Sequence, residues 1–205
     1  MNDVVNAVLL TEVFVTLFVI MDPPGTIPVF LSLTSGRSPA TIRKAAWQAV
    51  AVSFFVITVF AFFGQGILRY MHISIPALQG AGGLLLLLVA LELLTDNEKE
   101  PTATAGANVA LVPLGTPLLA GPGAIVATML FVEQVDGVAE LTAVSLGILG
   151  VHACLWAAMR YSLPILKLIR ESGVLLVTRI AGLLLSAIAV QLVADAVRAF
   201  IAGEG

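Results

Sequence analysis

The sequence predicts an all-α integral membrane protein. The expected architecture is six transmembrane helices in two inverted three-helix repeats, with the first and fourth helices broken at Pro-Gly motifs. Three observations predict it. First, the 205-residue chain is 59% hydrophobic and 11% charged, with a mean hydropathy of +1.05. An ordinary soluble domain carries about 25% charge and about 45–50% apolar residues. Second, apolar stretches long enough to cross about 30 Å of hydrocarbon, roughly 20 residues each, recur along the chain. Third, two short motifs repeat at spacings of 98 and 99 residues.

So little charge cannot cover a water-facing surface, which excludes an ordinary cytosolic enzyme and a disordered tail. The net charge of −3 leaves no basic footprint for nucleic acid. Cys154 is the single cysteine, so neither an internal disulfide nor a cysteine metal cluster can form.

The predicted spans are 4–33, 45–68, 75–94, 108–131, 141–159 and 174–193. The first and fourth are interrupted, and re-entrant hairpins are the alternative reading of those interruptions. The first span is expected to remain in the mature protein. Met1-Asn2-Asp3 is not a basic leader, and Glu12 interrupts the apolar run. Residues 1–95 form the first repeat, 96–107 a polar cytoplasmic linker, and 108–205 the second repeat.

Orientation follows from the basic residues of short loops. The links after spans one, three and five, with their adjacent helix ends, hold Arg37, Arg43, Lys44, Lys99, Arg160, Lys167, Arg170 and Arg179. The opposite side holds Arg69 and Arg198. Both termini are therefore expected on the non-cytoplasmic side.

The repeat rests on two pairs. Pro24-Gly25-Thr26-Ile27 matches Pro122-Gly123-Ala124-Ile125 at an offset of 98, and Gly83-Leu84-Leu85-Leu86 matches Gly182-Leu183-Leu184-Leu185 at 99. The bland alternative is that apolar helices draw on few residue types. Against it, the basic stretch from Arg37 to Lys44 corresponds to an acidic one holding Glu133, Asp136 and Glu140. An odd number of spans per copy inverts the second copy, and inversion requires reversed loop charge. Inverted repeats are a recurrent architecture of secondary transporters.

The interruptions carry the candidate site. Pro23-Pro24 lack the N–H groups that continue a helix, and a new helix is expected from Thr26 to Thr34. Gly121-Pro122-Gly123 makes the equivalent break. Each new half-helix presents N–H groups and a partial positive charge at its start, which suits a carboxylate. Asp22, an ionisable residue deep in the membrane, is a functional candidate by default. Its partner would be an ammonium group, a sodium ion or a proton.

The candidate substrate-binding residues are thus Asp22, Pro24, Gly25, Thr26, Gly121, Pro122, Gly123 and Ala124. Positive helix ends beside one carboxylate suit a zwitterion, and the small side chains suit a small one. The structural alternatives are that Asp22 caps the second half-helix and that the Thr26 hydroxyl bonds back to its own helix.

Other polar residues read as structural. Glu12 is expected to pair with Arg198, with a place in the outer vestibule as the alternative, and Glu92 with Arg179, with a gate as the alternative. His152 reads as a packing histidine, with a proton relay as the alternative. Gly80-Ala81-Gly82-Gly83 reads as a close helix contact. Metal, nucleotide and hydrolase motifs are missing, so no enzyme is expected. The lipid bilayer and a small solute are the expected partners, and a coupling ion, sodium or a proton, takes the place of any cofactor.

The segment from Asp22-Pro23-Pro24-Gly25-Thr26-Ile27-Pro28 to Thr34 resembles the first signature of the MarC family. Pro117-Leu118-Leu119-Ala120-Gly121-Pro122-Gly123-Ala124-Ile125 resembles its second, and Arg179 through Gln191 its final span. The departure is Pro23-Pro24, where one proline before a variable apolar residue is usual.

The resemblance implies a six-span inner-membrane protein of the family also called neutral amino acid transporters, with kinship to the wider lysine-exporter superfamily. It implies alternating-access transport of small neutral amino acids such as glycine or alanine. The alternatives are a small-solute exporter of the lysine-exporter type and a non-transporting membrane regulatory or assembly protein.

Overall fold

The structure, a computed structural model, describes residues 5–95 and 119–203. The linker 96–107, the first part of predicted span four, Thr116 and Pro117 lie outside the described residues. Helix accounts for 89% of what is described. In chain order the helices are α1 (Ala7–Met21), α2 (Pro23–Leu33), α3 (Pro39–Met71), α4 (Ile75–Thr95), α5 (Pro122–Glu133), α6 (Val138–Arg160) and α7 (Ser162–Ala202).

Among the described residues, five stretches are long and apolar enough to cross a membrane: Ala7–Leu33, Pro39–Met71, Ile75–Thr95, Val138–Arg160 and Ser172–Ala202. The apolar helix Pro122–Glu133 is shorter.

Local chemistry sets the boundaries. Asn6 caps α1, its Oδ1 accepting from Leu9 N–H at 3.1 Å. Ser38 caps α3 by accepting from Thr41 N–H, with Pro39 in the first turn, where a proline N–H is not needed. His72, left-handed at φ 56, closes α3.

Two predicted boundaries change. The helix expected from Thr26 begins at Pro23, because prolines fit the first turn of a helix as well as they end the one before. The last helix begins at Ser162, well before the predicted span 174–193. It is interrupted at Arg170 (φ 62, ψ 165). Lys167 and Arg170 dilute the hydropathy of that opening segment, so a search for apolar runs misses it.

The larger core joins α1, α2, α3, α5 and α6 around Leu17, Phe30, Ile57, Val151 and Leu155. A second core fills the α4–α7 contact with Leu86, Ala90, Leu185 and Ala189. Glycines let these two helices approach. An ideal Cβ on Gly83 would stand 2.8 Å from Ala189 O and 2.7 Å from Val193 Cγ2. One on Gly182 would stand 3.3 Å from Ala90 O and 3.1 Å from Leu93 Cβ. One on Gly80 would stand 3.4 Å from Ala196 Cβ. The helices therefore run antiparallel. Their outer faces, with those of α3, expose Phe55, Phe62, Leu88 and Leu184, as lipid contact requires.

The expected ion pairs are corrected. Arg198 pairs with Asp195 at 3.5 Å, one turn away on its own helix, instead of with Glu12. Glu12 is exposed on α1, and a local partner holds Arg198 with less ordering of the side chain. Glu92 and Arg179 are exposed and unpaired with each other; Arg198–Asp195 is the one ion pair among the described residues.

Candidate functional site

The helix is interrupted at Asp22, which is left-handed (φ 37, ψ 70). Outside glycine this conformation is uncommon, and Asp tolerates it better than most residues. Asp22 N–H donates to Phe18 O at 3.1 Å and ends α1. Asp22 O then accepts from Thr26 N–H at 3.0 Å and begins α2.

Pro23 and Pro24 fill the first two positions of α2. Having no N–H, they cannot donate to the carbonyls four residues earlier, those of Val19 and Ile20. Tandem prolines thus deprive the end of α1 of two donors that a continuous helix would supply. That end carries the negative pole of the helix dipole.

The side chain of Asp22 is 7% exposed, and its Oδ2 has no hydrogen-bond partner. Thr178 of α7 is equally buried, and its Oγ1 is likewise unpartnered. Both oxygens converge on Gly25. A Cβ there would collide with Asp22 Oδ2 and stand 2.9 Å from Thr178 Oγ1. The Gly25 N–H and the Thr178 hydroxyl are the donors that face the carboxylate. Gly25 and Thr178 also line a cavity of about 540 Å³, together with Pro28, Glu92, Leu166 and Val174.

This arrangement redistributes the expected roles. Sequence reasoning places a solute carboxylate on the N–H groups of Gly25 and Thr26. Pro23 and Pro24 offer none, Thr26 N–H is bonded to Asp22 O, and the Gly25 N–H faces Asp22's own carboxylate. The start of α2 is thus occupied by the chain itself. The Thr26 hydroxyl also bonds back to Asp22 O, at 2.9 Å.

The second break differs. Gly121 caps α5 in an extended conformation without a side-chain bond, and Pro122 follows it. Pro122 is exposed, whereas Gly123 and Ala124 are buried. A Cβ on Gly123 would collide with Leu86 and stand 3.6 Å from Ile20 Cγ2, so α5 starts beside the end of α1. Ala124 O accepts from Thr128 Oγ1 at 2.8 Å. None of Gly121, Pro122, Gly123 and Ala124 lines the cavity beside Gly25.

Thr178 is the residue that sequence reasoning missed. A threonine in an apolar helix carries no local signal, and its position one turn before Gly182 is the one pointer available. Ser53 and His152 form a second buried polar contact, Oγ to Nε2 at 3.2 Å, across α3 and α6. Among the described residues no cluster of three or more His, Cys, Asp or Glu is placed to hold a metal ion.

The chain is similar to membrane proteins of archaea and bacteria. It is 34% identical over 192 residues to the UPF0056 membrane protein MJ1677 of Methanocaldococcus jannaschii, covering 90% of this chain and 94% of that protein. Identity to a UPF0056 membrane protein of Aquifex aeolicus is 35% over 205 residues, covering 93% of each. Identity to the UPF0056 membrane protein YhcE of Escherichia coli is 30% over 198 residues, covering 93% and 92%. No solved structure matches. Residues 7–201 match the family described as MarC family integral membrane protein. Taken with the apolar spans, this match means that the chain is a multi-pass membrane protein belonging to the MarC family.

Proposed function

We propose that this protein is a secondary transporter of small neutral amino acids, of the size of glycine or alanine. It works by alternating access in the cell's inner membrane, with both termini on the non-cytoplasmic side. The observation that carries this reading is the buried carboxylate of Asp22 at a helix interruption, its Oδ2 without a hydrogen-bond partner, beside a cavity of about 540 Å³. A bare polar group in hydrocarbon surroundings costs several kcal/mol, and a ligand that completes it offsets that cost. The cavity falls in the about 300–1,000 Å³ range of small-molecule sites.

Reciprocal packing supports two related halves. Gly83 abuts Ala189 O, and Gly182 abuts Ala90 O. Adding 99 to Gly83 gives Gly182, and subtracting 99 from Ala189 gives Ala90, so exchanging the two halves turns the first contact into the second. The α2–α7 and α4–α5 contacts correspond in the same way. Two inverted copies exchange inward and outward access when they exchange conformations. In this reading the solute carboxylate lies at the uncapped start of α5, near Gly123 and Ala124, and Asp22 supplies the opposing charge.

Purified protein in liposomes tests it. Labelled glycine or alanine should accumulate under an imposed sodium or proton gradient. Asp22→Asn should lower the flux at least tenfold with the protein level unchanged. A protein that moves no labelled amino acid under either gradient is instead a membrane regulator or assembly factor.

A further inference from the structure

Asp22 Oδ2 and Thr178 Oγ1 are the buried side-chain oxygens without a partner among the described residues, and they occupy one place. Asp22 comes from the α1–α2 junction and Thr178 from α7, 156 positions later. Both press on Gly25, the residue whose missing side chain leaves room between them.

The Gly25 N–H faces one side of the Asp22 carboxylate, while Asp22 Oδ2 and Thr178 Oγ1 keep acceptor capacity that no hydrogen bond fills. Once a cation arrives, the ionised carboxylate supplies one negative charge and the hydroxyl supplies lone pairs. The end of α1 adds the carbonyl pole that Pro23 and Pro24 leave without donors. A single carboxylate balances one positive charge. The nearby acid Glu92 lies on the cavity wall and is exposed. Oxygen donors without His or Cys suit a hard cation, and the small space at Gly25 suits a bare ion or a primary ammonium group.

We propose that Asp22, Thr178 and the carbonyl end of α1 form a seat for one monovalent cation, either an alkali ion or the ammonium of the solute. The cation enters through the cavity lined by Gly25 and Thr178. It bridges the first half of the chain to α7, so occupancy favours the arrangement in which α7 lies against α2. This seat deepens the transport reading, on which it rests only for what the bound cation accomplishes.

The test is the thermal midpoint of the purified full-length protein in detergent, titrated at constant ionic strength. The probes are sodium chloride, methylammonium chloride and choline chloride. Sodium or methylammonium should raise the midpoint saturably, and choline should not. Asp22→Asn and Gly25→Ala should abolish the response. Thr178→Val should weaken the apparent affinity about tenfold, the loss of one hydrogen bond to a charged group, and Thr178→Ser should restore it.

A sodium response without methylammonium assigns the seat to a free ion, and the converse assigns it to the solute's amino group. A wild type that answers neither probe, or an Asp22→Asn variant that answers like wild type, overturns the proposal. Absent glycine transport with an intact midpoint shift removes the transport reading and leaves the seat standing.

Discussion

Ser53 Oγ lies 3.2 Å from His152 Nε2, and the two residues are 99 positions apart, the spacing that also separates Gly83 from Gly182. The contact is buried between α3 and α6. Ile148 O, which can only accept, lies 2.8 Å from His152 Nδ1. Nδ1 therefore carries the proton of the neutral ring, and Nε2 accepts from the Ser53 hydroxyl. Phe54 packs edge-on against the imidazole at 5.3 Å. Ser53→Ala leaves a buried ring nitrogen without its donor. The expected cost is about 1–3 kcal/mol, measured as a lowered unfolding free energy in detergent.

The glycines of α4 and α7 should rank by what a methyl group would meet. Gly83→Ala drives a Cβ to 2.8 Å from a backbone oxygen, which cannot move aside as a flexible side chain can. Gly182→Ala meets Ala90 O at 3.3 Å and asks for a smaller shift. Gly66→Ala on α3 meets nothing within 4 Å and gains helix propensity, worth up to about 1 kcal/mol. Thermal midpoints should therefore fall in the order Gly66→Ala, Gly182→Ala, Gly83→Ala. The last should be destabilised by about 1–3 kcal/mol, as overpacking typically is. Equal midpoints for the Gly66 and Gly83 variants would contradict the close α4–α7 approach.

These contacts show which parts of the molecule are legible in the sequence. Proline chemistry is local, so Asp22-Pro23-Pro24 marks a place where regular helix hydrogen bonding must fail, whatever the tertiary structure. The small residues at Gly82-Gly83 and Ala181-Gly182 mark close packing for the same reason. What is not legible is azimuth. Glu12 with Arg198, and Glu92 with Arg179, are matched in depth by counting residues along spans. Whether two side chains meet depends on which face each helix turns to its neighbour. Thr178 is hidden by the same gap. Its importance arises because α7 packs on α2, a long-range contact that no short motif announces.

The basic-residue asymmetry makes a topological prediction. Ser35 lies exposed in the turn between α2 and α3, and His72 is exposed where α3 gives way to α4. Arg37, Arg43 and Lys44 follow the first position closely, so the positive-inside rule predicts the cytoplasmic side for it. Cysteine at position 35 should react with an impermeant maleimide only after the cells are opened, and cysteine at 72 should react in intact cells. Cys154 is half-buried and is replaced by alanine in both. The reverse labelling pattern would turn the protein over and reassign the side from which the cavity is entered.

The tandem prolines should trade stability against transport. Pro23→Ala supplies an N–H at the position that donates to Val19 O in a continuous helix, and Pro24→Ala does so for Ile20 O. Each new bond contributes about 0.5–1.5 kcal/mol. Restoring both favours an unbroken rod from Ala7 to Leu33 over the interruption at Asp22, whose left-handed backbone is itself unfavourable. The double variant should therefore unfold at a higher temperature than wild type. Straightening the helix commits the Gly25 N–H to Met21 O and takes it from the Asp22 carboxylate, so the same variant should lose labelled-glycine flux in liposomes. A double variant that is stabilised yet transports normally would mean that the interruption at Asp22 is only a packing solution. One that is destabilised would mean that the surrounding helices, rather than the missing donors, hold Asp22 in place.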